Sequence, residues 1–199
     1  MRFSISHGSL LAIASLVGAQ SCPAANVDFE DLSNVTPLGL RPTQVIANGY
    51  AGLNWVNFYG ATPAIAAQFL LPQGKIFAIA PSSPATNPPI ISAPSGSSFA
   101  PQSIFIGTFT ENEVTGLAAP ASASTISVTA TFVNGSTANV EFNFDPPNTV
   151  FGLTINAEAM QYFDFPCGWS DVTSLSFKPQ SENGVNALLG LAIDNLRHN

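Results

Sequence analysis

The sequence predicts an all-β fold, an antiparallel β-sandwich of about eight or nine strands. Apolar and polar residues alternate with period two along much of the chain, and clusters of Gly, Pro, Asn and Ser interrupt the alternation at short intervals. No window of ten or more residues carries a helical period.

Taken in order, Val27-Asp28-Phe29-Glu30-Asp31-Leu32 alternates apolar with acidic, the pattern of a half-buried strand. Residues 75–80 form a short apolar strand stopped by Pro81, and residues 102–110 alternate around Phe105, Gly107 and Phe109. The clearest local structure is a hairpin. Ile126, Val128, Ala130 and Phe132 share one face of its first arm, and Val140, Phe142 and Phe144 share one face of its second. Asn134-Gly135 between the arms supplies the two positive φ angles of a type I′ turn. Residues 149–155, 159–165, 172–177 and 187–196 read as four more strands. The Pro- and Ser-rich stretches at 81–89 and 93–98 read as long surface loops of one domain.

Residues 1–19 have the three parts of a secretory signal: Arg2 in the opening segment, the apolar run Leu10–Leu16, and the small-residue exit Val17-Gly18-Ala19. About ten apolar residues are too few to span a bilayer, which needs about twenty. The expectation is cleavage after Ala19, a single domain over 20–199, and an extracellular or cell-wall location. Arg2 leaves with the signal, so four of the five Lys and Arg residues face all twelve carboxylates, a balance of −8. Such a chain lacks the clustered basic surface that nucleic acid or an anionic membrane requires. Insertion into a membrane is not expected either.

In an oxidising compartment the two cysteines, Cys22 and Cys167, are expected to form a disulfide. Asn34-Val35-Thr36 and Asn134-Gly135-Ser136 are N-glycosylation sequons, the first weakened by Pro37.

Catalytic signals are sparse. After signal removal the one histidine is His198, so Ser/His/Asp and Cys/His arrangements have no base within the body of the chain. A carboxylate-dependent glycoside hydrolase or lyase is the remaining enzymatic reading, with Glu111, Glu113, Glu141, Glu158, Asp164 and Asp171 as available acids. The balance leans away from an enzyme. A carbohydrate-binding surface needs exposed aromatic rings with amide or carboxylate partners. The amphipathic candidates are Tyr50, Trp55, Tyr59, Tyr162 and Trp169. Alternation puts Leu53, Trp55 and Tyr59 on one face, where core packing is the stronger role for Trp55. Tyr50 and Tyr59, with Asn57 as a polar partner, are the preferred surface residues.

Three blocks resemble a widespread group of exported β-sandwich proteins of bacteria and fungi: Phe29-Glu30-Asp31-Leu32, Gly49-Tyr50-Ala51-Gly52-Leu53-Asn54-Trp55, and Ile193-Asp194-Asn195-Leu196. Their sheets are similar to the jelly-roll, galactose-binding-like domains of carbohydrate-binding modules. The resemblance implies adjacent first and last strands holding a structural calcium ion, with Glu30 and Asp194 as ligands and Asp31 as a third. Residue types agree with that, since calcium takes six to eight hard oxygen ligands. The function this implies is binding of extracellular or cell-wall carbohydrate. The alternative is a secreted interaction or surface-matrix protein whose partner is another extracellular protein.

Overall fold

The computed structural model describes residues 25–37, 44–62, 68–70, 74–81, 87–111, 118–120, 123–145, 149–150, 153–154, 157–181 and 189–199. The expected signal segment 1–19, Cys22 and Glu113 lie outside them. The strands of the first half are β1 (Ala25–Val27), β2 (Thr36–Pro37), β3 (Asn54–Val56), β4 (Tyr59–Thr62), β5 (Gln68–Leu70), β6 (Phe77–Ala80), β7 (Ile90–Ser92) and β8 (Pro101–Glu111). There follow β9 (Ala118–Pro120), β10 (Ser124–Phe132), β11 (Thr137–Phe144), β12 (Thr149–Val150), β13 (Leu153–Thr154), β14 (Ala157–Ala159), β15 (Gln161–Asp164), β16 (Val172–Ser181) and β17 (Leu189–His198). Segments outnumber the strands expected because several are only two to four residues long. One short 3₁₀ turn covers Tyr50–Gly52. Among the described residues no helix is long and apolar enough to cross a membrane.

Two sheets form a β-sandwich. The larger, eight-stranded sheet runs β15-β8-β17-β6-β4-β2, with β1 also paired to β17 and β9 to β8. The smaller runs β11-β10-β16-β7-β3. Pairing in these sheets is antiparallel apart from β2 with β4. On β10 burial alternates strictly, so Ser124, Ile126, Val128 and Ala130 point inward. Ile126, Val128 and Ala130 join Ile104 and Ile106 of β8 and Leu191 and Ile193 of β17 in the main core cluster. Each fully buried side chain of this size contributes about 1.5–3 kcal/mol. Thr108 and Ser124 bring two hydroxyls into this interior, and they satisfy each other at 2.9 Å.

The opposite face of the larger sheet is also apolar. Phe77, Ile79, Phe109, Met160 and Ala192 form a second buried cluster there, with Tyr59 and Phe105 half-buried at its margin. Strand β17 is therefore enclosed on both faces and buried from Leu189 to Leu196. That is why residues 189–193 read as a continuous apolar run rather than an alternation, before the buried polar pair Asp194-Asn195.

Three local expectations differ from the structure. Residues 27–32 are not one strand: β1 ends at Val27, and Leu32 N donates to Phe29 O (3.1 Å) across a turn. Phe29 there is completely buried with φ 61°, so its ring goes inward while the acidic residues beside it turn outward. Tyr59 does not share a face with Leu53 and Trp55, because Asn57, at φ 63°, turns the chain from β3 in one sheet to β4 in the other. The 124–144 hairpin forms in the expected register, but its turn is not type I′. Only Gly135 of the Asn134-Gly135 pair has a positive φ (80°). Gly135 N donates to Phe132 O and Phe132 N to Ser136 O, both at 2.9 Å. This is a three-residue loop with one left-handed position, for which one glycine suffices.

Candidate functional site

The best-defined polar site lies where β17 changes neighbours. Ile193 pairs with Ala78 of β6, whereas Leu196 pairs with Val27 of β1. Between them Asn195 takes φ 46°, and the register with β8 shifts after Asp194. A bulge of this kind disrupts the ladder locally. Asn26 Nδ2 donates to Asn195 Oδ1 at 2.8 Å and fixes the bend.

Onto this bend the turn after β1 brings acid groups. Phe29 anchors the turn, stacked on Tyr50 (5.8 Å, 15°) and edge-on to Trp55 (5.4 Å, 77°). Glu30 Oε1 accepts from the amides of Lys75 (2.6 Å) and Ile76 (2.7 Å). Gly74 makes this approach possible, since a Cβ there would stand 2.0 Å from Glu30 Oε1. Its φ of +73° likewise favours glycine. The Tyr50 hydroxyl donates to Asp31 Oδ1. Burial, that hydrogen bond and the charges of Asp31, Asp28 and Glu30 raise the Tyr50 pKa well above the usual phenol value.

Asp194 is the unusual member. It is fully buried, and its Oδ1 accepts from Asn195 N at 2.8 Å. Its Oδ2 is also buried and has no hydrogen-bond partner. Burial, with the negative charges of Glu30 and Asp28, pushes its pKa up to about 7, although the Asn195 amide works against the shift. The structure thus brings the predicted Glu30 and Asp194 into one electrostatic cluster, and Asp31 is engaged by Tyr50. Among the described residues, no three His, Cys, Asp or Glu side chains form a side-chain metal site by themselves. A cation here would need main-chain or water oxygens as well.

The predicted glycan-binding residues are placed otherwise. Tyr50 packs against the core, and its hydroxyl is spent on Asp31. Asn57 Nδ2 donates to the carbonyls of Asn87 (3.2 Å) and Pro88 (3.4 Å), tying down a loop. Tyr59 is half-buried beside the second cluster. Trp55 and Trp169 are both buried, the latter stacked on Phe165 at 5.8 Å. Tyr162 on β15 is the exposed aromatic among the described residues, 50% accessible. Its ring stands edge-on to Phe105 (5.3 Å, 66°), its partner across the β15–β8 pair, and its hydroxyl donates to Asp164 Oδ1 at 2.5 Å. Alternation alone could not rank Tyr162 above Tyr50 and Tyr59, because exposure depended on which face of the larger sheet was covered.

Glu141 is exposed on the smaller sheet and Asp164 on the larger, so these two acids do not face one another. His198, the one described histidine, is buried against Phe99 (6.0 Å, 87°), and neither ring nitrogen has a partner. Burial lowers its pKa below 6.5. Because the folded-state pKa is depressed, the unfolded chain takes up the proton first. His198 therefore costs no stability above pH 6.5 and becomes destabilising as pH falls below it. Between about pH 7 and pH 5 the raised Asp194 pKa works in the opposite direction in both proteins, so the test is the difference: the urea midpoint of unsubstituted protein should fall relative to that of His198→Phe as pH is lowered. A difference that does not change with pH would refute the assignment.

Cys167 is exposed and has no disulfide partner among the described residues. Of the sequons, Asn34 is exposed with φ 60° ahead of β2, and Asn134 is exposed at the hairpin tip.

No family profile matches the sequence, and no curated protein matches it. Among solved structures, a DUF4465 family protein from Bacteroides caccae is similar over 89% of this chain and 99% of its own, with TM-score 0.56 and 12% identity. The CBM22-1–GH10 modules of Clostridium thermocellum xylanase 10B align over 88% of this chain but 28% of that one, at TM-score 0.39 and 10% identity. An exo-β-agarase aligns at TM-score 0.42 and 10% identity over 81% of this chain and 24% of that one. The last two likenesses are too low to bear on fold or ligand. The first shows that the chain shares the architecture of the DUF4465 protein.

Proposed function

We propose that this chain is a secreted, non-catalytic β-sandwich that binds extracellular or cell-wall carbohydrate. The observation carrying the proposal is the exposed Tyr162 ring, held edge-on by Phe105 and bonded to the Asp164 carboxylate. A sugar ring presents an apolar C–H face, which stacks on an aromatic plane, and equatorial hydroxyls, which a fixed carboxylate accepts. Phe105 limits the motion of the Tyr162 ring, so less freedom is lost on binding. Tyr59 projects from the same face of the larger sheet, nearer its other edge.

Ring stacking of this kind contributes about 0.5–1.5 kcal/mol, so Tyr162→Ala should weaken polysaccharide binding roughly 3–10-fold. Its melting temperature should fall by only about 1–6 °C, since the variant loses the edge contact to Phe105 while half of the side chain is already in water. A glycan array and titration calorimetry measure the effect. Wild-type protein that binds nothing on the array, or a variant that binds equally well, would refute the proposal.

The acidic corner supports a second part of the reading, a structural calcium ion held by Glu30 and Asp194. The buried, unpartnered Asp194 Oδ2 beside two further carboxylates is an oxygen-only environment short of positive charge. The ion would neutralise that charge and join the turn after β1 to β17. The expected Cys22–Cys167 bond suits the same end of the molecule. Ala25 pairs with His198, which pairs with Pro101, and Phe165 N donates to the neighbouring Gln102 O.

A further inference from the structure

The hairpin tip combines a sequon with a depression that its own side chains line. Phe132, Val133, Asn134 and Ser136 from the hairpin, and Gly168, Ser170 and Asp171 from the turn before β16, surround an open volume of about 590 Å³. That size falls within the roughly 300–1,000 Å³ of ligand sites. Its wall is partly apolar: Val133 is 64% exposed, and Phe132 is only half-buried. Phe132 is held edge-on to Trp169 at 6.2 Å and 89°, so its ring keeps a fixed orientation. Val133 N donates to Asp171 O at 3.0 Å, joining the two loops.

We propose that Asn134 carries an N-linked glycan and that its first N-acetylhexosamine sits in this depression, against Phe132 and Val133. The Asn134 carboxamide is arranged for this attachment. Its Oδ1 accepts from both Ser136 N (2.9 Å) and Ser136 Oγ (2.7 Å), while Nδ2, the atom to be linked, donates no hydrogen bond among the described residues. In the linking step Nδ2 attacks the anomeric carbon of a lipid-diphosphate-linked oligosaccharide. The C–N bond forms, the C–O bond to the diphosphate breaks, and Nδ2 loses one proton to the transferase of the secretory pathway. No electrons change hands. The sugar's C–H face then covers the exposed Val133 and the Phe132 ring, and its hydroxyl and acetamido groups meet Ser170 and Asp171 on the rim. In this three-residue loop Asn134 stays out of the left-handed region and Gly135 takes the one left-handed position. This inference is independent of the carbohydrate-binding face, which lies on the other sheet.

For the test, the full chain is placed behind a yeast secretion leader and collected from the medium. Endoglycosidase treatment then trims each glycan to one sugar. The peptide containing Asn134 should carry one N-acetylhexosamine by mass spectrometry. This form should melt about 2–4 °C above Asn134→Gln, an increment that Phe132→Leu largely removes. In unsubstituted protein, nuclear Overhauser contacts between the sugar protons and the Phe132 ring should be visible. Secreted protein without the sugar at Asn134 would overturn the proposal. So would an occupied site with no contact to Phe132 and no gain in melting temperature.

Discussion

Trp55→Ala should destabilise the domain by about 3–5 kcal/mol, the usual cost of removing a buried Trp side chain. A domain of this size is stable by about 5–15 kcal/mol in total. Trp55 touches three other rings: Phe29 at 5.4 Å, Phe58 at 5.4 Å and Tyr50 at 6.3 Å. Its Nε1 also donates to Tyr50 O at 3.0 Å, and Asn48 Oδ1 accepts from its main-chain N at 3.1 Å. The loss therefore leaves a cavity, frees a carbonyl and loosens Phe29, the residue that aims Asp28 and Glu30. At about 2–4 °C per kcal/mol, the melting temperature should fall by roughly 6–20 °C. Trp55→Phe should fall less, since it keeps a ring and loses the indole hydrogen bond. A stable Trp55→Ala protein that no longer binds polysaccharide would instead assign Trp55 to the ligand surface.

Calcium should have the next largest effect. Protein stripped with chelator and then given calcium at about 100 times its dissociation constant should gain about 2.7 kcal/mol. That corresponds to roughly 5–10 °C in melting temperature. Asp194→Asn should abolish the gain, and in chelator the variant should melt above the unsubstituted protein. The reason is that a buried carboxylate with one unpartnered oxygen costs stability unless a cation compensates it. Elemental analysis after exhaustive dialysis supplies the second measurement. No retained calcium together with identical melting curves would eliminate the ion.

Period-two alternation was a reliable guide wherever one strand face met the core and the other met water. Strands β10, β11 and β16 were legible for that reason. It misled at residues 27–32, where apolar and acidic residues alternate in a turn. Phe29 reaches the core there through a left-handed backbone, not through pleating. Short strands such as β3, β4 and β7 hold too few residues to show a period, and Asn57 gives no sequence sign of the crossing between sheets. In the acidic corner, Glu30 and Asp194 were legible as a pair through the resemblance at the two chain ends. The amides of Lys75 and Ile76 and the space left by Gly74 were not, because main-chain donors from a distant loop have no side-chain signature. Tyr162 was visible as a candidate, and its exposure became known only once the second apolar cluster was located.

The position of β17 bears on how the chain reaches this state. The last strand in sequence among the described residues, it lies inside the larger sheet, between β8 and both β6 and β1, and is covered on both faces. Synthesis delivers residues 189–198 only after every strand they must join, so the larger sheet stays open at its centre until they emerge from the ribosome. Until then β6 and β8 have unpaired edges and the main core lacks one wall, a state prone to wrong pairings and aggregation. Nearly all of β17's contacts are distant in sequence, which also slows folding once the chain is free. A nascent chain arrested before residue 189 should therefore be protease-sensitive throughout the larger sheet, whereas the hairpin of β10 and β11 can already close on its own turn.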